Sequence, residues 1–302
     1  TLEGADIQVS DMKDAKAAIV LPDGATIHLK GENTVVSTAA SASATDLFAA
    51  IYCEGDLTIT GDASASASVR GDGGLNAGIY CEGDLTILSG VELNVSALVD
   101  GFAGAFVNGD LAISGDSTVA VAGSSEGLVV MGATDIAGAA QVKLGTEGST
   151  AANSLAANFT GEVLISGTEV IVNGSGVEFW APATLSGSEV SMDVDTSGAI
   201  HAMKGLAITG GSNVSASSSG HVIEVLGDML VQGSSLRVEG VGTWDTAITV
   251  TDGDLTVDSS SVTALGDSTD DTKGINLNVT KPGLIAGNLI LEGAPFLTVE
   301  GA

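Results

Sequence analysis

The sequence predicts an all-β protein, a right-handed parallel β-helix of about eleven coils. The first observation is a phrase that occurs twice, because Ile51–Ile59 and Ile79–Ile87 are identical over nine positions at an offset of 28 residues. The second is a series of weaker copies, each a glycine turn followed by a short alternating strand, at intervals of roughly 21–34 residues. The third is composition, with 42 glycines and only 3% aromatic residues, which favours a strand-rich solenoid.

Each repeat contains three short strands, which is the layout of a parallel β-helix. After the glycine turn and its strand comes a second strand, such as 117–121, and a third stretch leads into the next turn, such as 127–130. Parallel crossovers are nearly always right-handed, so we expect that hand. A propeller blade needs about 40–45 residues, which this period does not supply, and no helical period is present.

The first sixteen residues do not fit the repeat. Asp11–Ala18 can form a turn or two of helix with Ser10 as its N-cap. Solenoids need an atypical first unit to cover the end of their core. We therefore interpret residues 1–16 as an N-terminal cap and residues 17–302 as a single β-helix repeat domain.

The chain is strongly acidic, with 38 acidic and 9 basic residues and a net charge of -29. Nucleic acid and anionic membrane surfaces are bound by Lys and Arg, so this charge argues against both as partners. No signal peptide is visible, and no apolar run reaches the roughly 18 residues of a membrane helix. We expect an extracellular or cell-surface monomer, with any signal and anchor outside this chain.

The turn-and-strand motif carries a family resemblance. The repeated G-D-L-T-I phrase, the segment LPDGATIHLKGENTVV and the Gly-Ile lead-ins resemble those of bacterial cell-surface β-helix repeat proteins. The nearest such group is the "carbohydrate-binding domain" β-helix family of anaerobic bacteria. The resemblance covers most of residues 17–302 and lies in motifs that mainly encode the fold. It implies binding of polysaccharide or another surface glycan, sometimes with calcium.

Cys53 and Cys81 occupy equivalent positions of the repeated phrase, 28 residues apart. Neighbouring coils bring such positions to about 4.8 Å, within the Cα range of a disulfide. However, two in-register side chains point the same way, so a bridge demands unequal rotamers. The sequence leaves two alternatives, a stacked pair of buried thiols or a disulfide.

Tyr52, Tyr80 and Phe106 share another repeat position, of opposite parity to the cysteines. They are expected to form an aromatic ladder on the outer face. Such a ladder can bind a glycan by stacking on sugar rings. The alternative is that the rings pack beneath a neighbouring loop.

Acidic residues stack at the glycine turn, and like charges directly opposite each other destabilise a sheet. The residues concerned are Glu54, Asp56, Glu82, Asp84 and Asp110. One hypothesis is that calcium, which takes six to eight oxygen ligands, relieves the repulsion. The alternative is solvated turn aspartates, because Asp after Gly is ordinary turn chemistry. Residues 267–271 form a second acidic stretch.

Catalytic signatures of this fold class are missing. The histidines, His28, His201 and His221, are scattered and are interpreted as satisfied polar residues. The sequence therefore favours a protein that is not an enzyme and binds glycan along a lateral sheet. The first alternative is a structural or adhesin stalk without its own ligand, and the second is a polysaccharide lyase or glycoside hydrolase.

Overall fold

The chain forms a parallel β-solenoid with three sheets, and the described residues contain no helix. The structure is a computed structural model. It describes residues 1–10, 16–38, 48–73, 76–88, 90–97, 102–138, 141–145, 154–195, 198–241, 246–266, 275–278 and 288–300. The all-β parallel solenoid that the sequence predicts is thereby confirmed. Contacts divide the chain into two compact units, Thr1–Asn158 and Phe159–Ala302.

The first unit contains six strands in each sheet, and the second contains six, six and five. The strands of the first unit are β1 (Leu2–Glu3), β2 (Asp6–Ser10), β3 (Ala17–Leu21), β4 (Ala25–Lys30), β5 (Glu32–Thr38), β6 (Phe48–Cys53), β7 (Leu57–Gly61), β8 (Ala65–Asp72), β9 (Asn76–Cys81), β10 (Leu85–Ile87), β11 (Val91–Ala97), β12 (Ala103–Val107), β13 (Leu111–Ser114), β14 (Thr118–Gly123), β15 (Glu126–Val130), β16 (Thr134–Ala137), β17 (Gln141–Gly145) and β18 (Leu155–Phe159), within which the division falls. The strands of the second unit are β19 (Val163–Ser166), β20 (Glu169–Gly174), β21 (Val177–Phe179), β22 (Ala183–Ser186), β23 (Glu189–Val194), β24 (Ile200–Ala202), β25 (Leu206–Thr209), β26 (Asn213–Ser218), β27 (Ile223–Leu226), β28 (Met229–Gln232), β29 (Ser235–Gly240), β30 (Ile248–Thr251), β31 (Leu255–Asp258), β32 (Ser261–Leu265), β33 (Ile275–Asn278), β34 (Leu289–Glu292) and β35 (Phe296–Glu300). The predicted number of coils, about eleven, is approximately confirmed.

Each coil contributes one strand to each sheet, so every third strand is a neighbour in space. Sheet A begins β1-β4-β7-β10, sheet B begins β2-β5-β8-β11, and sheet C begins β3-β6-β9-β12. The twice-written phrase lies in register, with Ile51 beside Ile79 in sheet C and Leu57 beside Leu85 in sheet A. The sequence offset of 28 residues is therefore one turn of the solenoid.

The interior is built from alternate residues of these strands. In sheet A, Leu57, Leu85 and Leu111 are neighbours in register and are buried. Their polar neighbours, such as Thr58 and Thr86, are partly exposed. Because each coil buries its apolar side chains only against the coils beside it, the core is a column of aliphatic residues.

The N-terminal segment joins the sheets directly. β1 pairs with β4 and β2 pairs with β5, so the residues before 11 belong to the first coil. Ala17 and Ala18, where the sequence suggested the end of a helical turn, begin β3. Residues 11–15 of that segment lie outside the described residues. The single-domain assignment of 17–302 stays a prediction.

Candidate functional site

The corner between sheets C and A is a ladder of aspartates joined by hydrogen bonds along the coils. The backbone N–H of Asp84 donates to Oδ1 of Asp56 at 2.9 Å, and that of Asp110 donates to Oδ1 of Asp84 at 2.8 Å. The same bond joins Asp56 N–H to Asp23 and Ala133 N–H to Asp110. Each carboxylate therefore accepts a backbone donor of the following coil.

The second unit repeats this arrangement with a different last member. The N–H of Asp254 donates to Oδ1 of Asp228 at 3.0 Å. Oδ1 of Asp254 in turn accepts both the backbone N–H and the side-chain amide of Asn288, at 2.8 and 3.0 Å. The ladder is thus a property of the turn itself and not of the nine identical residues.

Glycine precedes Asp56, Asp84 and Asp110 of the first unit for a steric reason. A Cβ atom at Gly83 would overlap Oδ1 of Asp56, and one at Gly109 would overlap Oδ1 of Asp84. The backbone carbonyl carbon of Gly55, on the preceding coil, lies 2.7 Å from the position that a Cβ atom would take at Gly83. The Gly-Asp dipeptide is therefore an interlocking pair, in which the carboxylate of one coil fills the space left by glycine in the next.

This ladder explains, without a metal ion, why acidic residues are stacked at this corner. Each carboxylate of the ladder accepts a backbone N–H bond, and such charge-assisted bonds are strong. Glu54 and Glu82 are exposed at the same corner, where water can screen them. Among the described residues no group of three or more His, Cys, Asp or Glu side chains is gathered to hold a metal ion. Calcium binding stays a prediction.

Cys53 and Cys81 are free, buried thiols in register on sheet C. The Cys81 Sγ donates to the carbonyls of Gly55 at 3.1 Å and Asp84 at 3.3 Å. Cys53 Sγ donates to the carbonyls of Pro22 and Asp56. Burial raises the pKa of Cys81 to about 12. Of the two alternatives, the structure has the stacked pair of thiols, and each thiol contacts carbonyls of the Gly-Asp turn.

The three aromatic residues of sheet C stack in a row. The ring centroids of Tyr52 and Tyr80 are 5.6 Å apart with an interplanar angle of 11°, and those of Tyr80 and Phe106 are 5.0 Å apart at 5°. Lys16 Nζ lies 4.6 Å from the Tyr52 centroid, over the ring. The face of each ring is thus turned towards the neighbouring ring of the row. Tyr80 has one ring stacked on each of its two faces.

The Tyr52 end of this row is closed by polar contacts. Lys16 Nζ donates to the Tyr52 hydroxyl at 3.1 Å, and the hydroxyl donates to a carboxylate oxygen of Glu82. Tyr52 itself is buried and also packs against Ala49 and Ala77. Burial, followed by the bond to Glu82, raises the pKa of the Tyr52 hydroxyl. Ligand binding by Tyr52, Tyr80 and Phe106 stays a prediction, and a sugar would meet ring edges rather than ring faces.

A second surface, which the sequence did not reveal, lies on sheet C in the second unit. Glu178, His201 and Glu224 are neighbours in register. His201 Nδ1 lies 3.5 Å from Glu178 Oε1, and Nε2 lies 3.7 Å from Glu224 Oε2. The contacts are ion pairs only when the imidazole is protonated. We call Glu178, His201 and Glu224 the polar row.

An apolar row runs beside the polar row, two residues further along each strand. It consists of Trp180, Met203 and Leu226. These three residues are aligned because the residues just before them are paired, Phe179 with Ala202 and Ala202 with Val225. The backbone N–H groups of Trp180 and Met203 also donate to carbonyl groups of the preceding coil. Trp180 is 44% exposed. An exposed tryptophan beside hydrogen-bonding side chains is a common way of holding a ring-shaped polar ligand.

Thr249 follows Glu224 in register on sheet C. Its side chain is more than nine-tenths buried, and its Oγ1 atom has no hydrogen-bond partner. Buried hydroxyls normally have a partner, so this one calls for a ligand or water. The polar row is therefore followed in register by a hydroxyl without a partner, and Asn276 of β33 pairs with Thr249 on the next coil.

The sequence could have exposed this surface by alignment of the weaker repeats. Trp180 takes the corner position of Glu54 and Glu82, and Glu178 takes the position of Tyr52 and Tyr80. The remaining histidines are elsewhere, since His28 contacts Asp62 at 2.9 Å and His221 is exposed. Of the acidic stretch at 267–271, all residues lie outside the described part of the chain.

Comparison of the chain with family models, with curated proteins and with solved structures gave no match. Within the described ranges, no helix has the length and apolarity to cross a membrane.

Proposed function

We propose that the protein is a non-catalytic glycan-binding protein of the bacterial surface or secreted fraction. The observation that carries the proposal is Trp180, an exposed aromatic side chain next to the polar row of Glu178, His201 and Glu224. A sugar ring has an apolar face and a rim of hydroxyls, so it fits an indole flanked by carboxylates and an imidazole. The polar row lies on β21, β24 and β27, whose register is rigid. Trp180 and Met203 directly follow β21 and β24.

The remaining details of the proposal come from the sequence. The resemblance to bacterial "carbohydrate-binding domain" β-helix proteins supports glycan binding and an extracellular or surface location. We keep the expectation of a monomer. We also keep the right-handed winding, the division of the chain into about eleven coils and the covering role of residues 1–16. The aromatic row of Tyr52, Tyr80 and Phe106 is the second candidate contact, through its ring edges.

The test is a glycan array followed by titration calorimetry on the hits. Trp180→Ala is compared with Leu164→Ala, an exposed apolar residue on sheet A that is 42% exposed in the native chain. We expect the tryptophan variant to weaken binding by about tenfold or more, from the loss of ring stacking, while Leu164→Ala binds as the native chain does. Equal affinity of all three proteins would exclude the Trp180 surface as the site.

The array also separates the alternatives. If no glycan binds, the structural or adhesin stalk is the better account of the protein. Incubation of each hit with the protein, followed by analysis of its chain length, tests the hydrolase or lyase alternative. We expect the glycans to stay intact, because the proposed function contains no bond cleavage.

A further inference from the structure

We propose that the Trp180 surface selects glycans whose sugars carry a protonated amino group, in preference to neutral N-acetylated and to acidic glycans. This inference rests on the proposed function and adds the charge class of the ligand. It follows from four features of the surface, namely two carboxylates, an indole, an unpartnered hydroxyl and the charge around them.

The carboxylates come first, because they set the sign of the charge that a ligand must carry. Glu178 and Glu224 accept hydrogen bonds only, whereas an ammonium group offers three donors. Their distances to His201, 3.5 and 3.7 Å, are longer than the roughly 2.7–2.9 Å of a charge-assisted hydrogen bond. Both carboxylates can therefore still accept hydrogen bonds, and the ammonium group of a ligand can donate to them.

Trp180 suits the same ligand for a second reason. The face of an indole is the best of the aromatic side chains at attracting a cation, and it also packs against the apolar face of a sugar. Trp180 directly follows β21, two residues after Glu178. An extended chain spans at most about 3.6 Å per residue, so their Cα atoms are no more than about 7 Å apart. One amino sugar can span the indole and the carboxylate.

Thr249 adds an unsatisfied hydroxyl at the end of the polar row. Its Oγ1 is buried without a partner, directly next to Glu224 in the register of sheet C. A hydroxyl can accept from an ammonium or donate to a sugar oxygen. The polar row and Thr249 together thus supply two carboxylates and a hydroxyl as acceptors on three of four successive coils.

The surrounding charge has the same sign. In the second unit the positively charged side chains within the described ranges are Lys204 and Arg237. Arg237 pairs with Glu239 at 2.9 Å on sheet B, and Lys204 is an exposed residue that follows Met203, the middle member of the apolar row. With a net charge of -29 for the chain, cationic ligands are attracted and polyanions are repelled.

The experiment titrates the full chain with three oligosaccharides of equal length, namely a β-1,4-linked glucosamine oligomer, its fully N-acetylated form and an oligogalacturonate. All are measured at physiological ionic strength by calorimetry. Trp180 fluorescence, in a Trp244→Phe background, reports whether the ligand reaches the apolar row. We expect the glucosamine oligomer to bind about tenfold or more tightly than the N-acetylated form, and the oligogalacturonate to bind weakest.

Glu178→Gln and Glu224→Gln test whether the polar row makes this choice. Each should remove most of the preference for the amine while leaving binding of the N-acetylated form nearly unchanged. Glu92→Gln is the matched control, because Glu92 is an exposed carboxylate on sheet B. If Glu92→Gln lowers the affinity for the amine as much as Glu224→Gln does, the attraction is to the charge of the whole protein and the inference is wrong.

The outcomes separate this inference from the proposed function. Equal or tighter binding of the N-acetylated form overturns the amino-sugar selectivity and leaves glycan binding standing. Binding of none of the three in calorimetry, together with an empty glycan array, overturns both. A lysine oligomer of the same charge that competes as well as the glucosamine oligomer would show selection of charge alone, and would also overturn the inference.

Discussion

Oδ1 of Asp56 occupies the place where a side chain at Gly83 would begin, and it accepts the backbone N–H bond of the next residue, Asp84. The two residues lie on neighbouring coils. The Asp56 carboxylate thus leaves no room for a side chain at Gly83 and also orients the peptide group that follows Gly83. This coupling explains why the sequence keeps Gly and Asp together at the corner.

The first prediction concerns the glycine. Gly83→Ala should lower the free energy of unfolding by about 1–3 kcal/mol, because the added methyl group overlaps the Asp56 carboxylate and the backbone of Gly55. Chemical denaturation monitored by circular dichroism measures the change. In a double-mutant cycle with Asp56→Ala, the two losses should not add. Additive losses would show that the carboxylate and the glycine do not interact.

The second prediction concerns the carboxylate as an acceptor. Asp56→Ala leaves the N–H of Asp84 without its partner and should cost about 1 kcal/mol or more, whereas Asp56→Asn keeps the Oδ1 acceptor and should cost less. Asp135→Ala is the control, an exposed aspartate on sheet A that should change stability by no more than about 0.5 kcal/mol. Equal stability of the Ala and Asn variants would contradict this role.

The third prediction keeps the calcium hypothesis open to a direct test. If calcium binds the stacked carboxylates, the melting temperature in millimolar calcium exceeds that in chelator, since a ligand of the folded state stabilises it. Changing both Asp56 and Asp84 to Asn should then abolish the difference. If the native chain melts at the same temperature in both buffers, the calcium hypothesis is wrong. The backbone hydrogen bonds would then be what offsets the repulsion between the stacked carboxylates.

The fold could be predicted from the sequence because the solenoid repeats one local rule. The offset of 28 residues aligned Ile51 with Ile79 and Leu57 with Leu85, and the structure has these pairs in register. Alternation of apolar and polar residues then indicated which side chains face inward. The parity of Cys53 and Cys81 followed in the same way, and both are buried.

The proposed binding surface could not be predicted in the same way. Glu178 and His201 lie on short strands without a copy of the repeated phrase, and Trp180 follows the first of these strands. Their register could be found only by aligning the weaker repeats. The alternation of residues along a strand predicts the side of the sheet on which a ring lies, but it does not predict how the ring is rotated about its side-chain bonds. The sequence placed Tyr52 and Tyr80 in one row, and the two rings are stacked. However, Tyr52 is buried rather than exposed on the outer face, and the direction of the ring faces was known only from the structure.

The fourth prediction concerns that row of rings. Tyr80→Ala removes a ring that stacks on Tyr52 and on Phe106, so it should cost about 3–5 kcal/mol, as for other large aromatic truncations in packed sites. Tyr80→Leu, which restores apolar volume without stacking, should recover part of this loss. If Tyr80→Ala weakens glycan binding with stability unchanged, the row is a ligand surface rather than a structural one.

The last prediction concerns the thiols and alkaline pH. The folded chain raises the pKa of Cys81 to about 12 by burial, whereas an unfolded chain releases a thiol proton near its ordinary pKa, about 8.5. Above that value the unfolded state is stabilised by ionisation and the folded state is not. The contribution of Cys81 to stability is therefore fully present below about pH 8.5 and is lost as pH rises towards about 12.

Denaturation at a series of pH values should show this loss begin before the tyrosines titrate near pH 10. The pKa values of Tyr52 and Tyr80 are also raised by burial, so they add to the fall only at the upper end of the range. Cys81→Ala should be less stable at neutral pH, by about 1 kcal/mol or more, and should show a shallower slope between about pH 8.5 and 10. A native chain whose stability stays constant across that interval, or whose thiols react with iodoacetamide as fast as those of the unfolded chain, would contradict the buried, neutral state of Cys81.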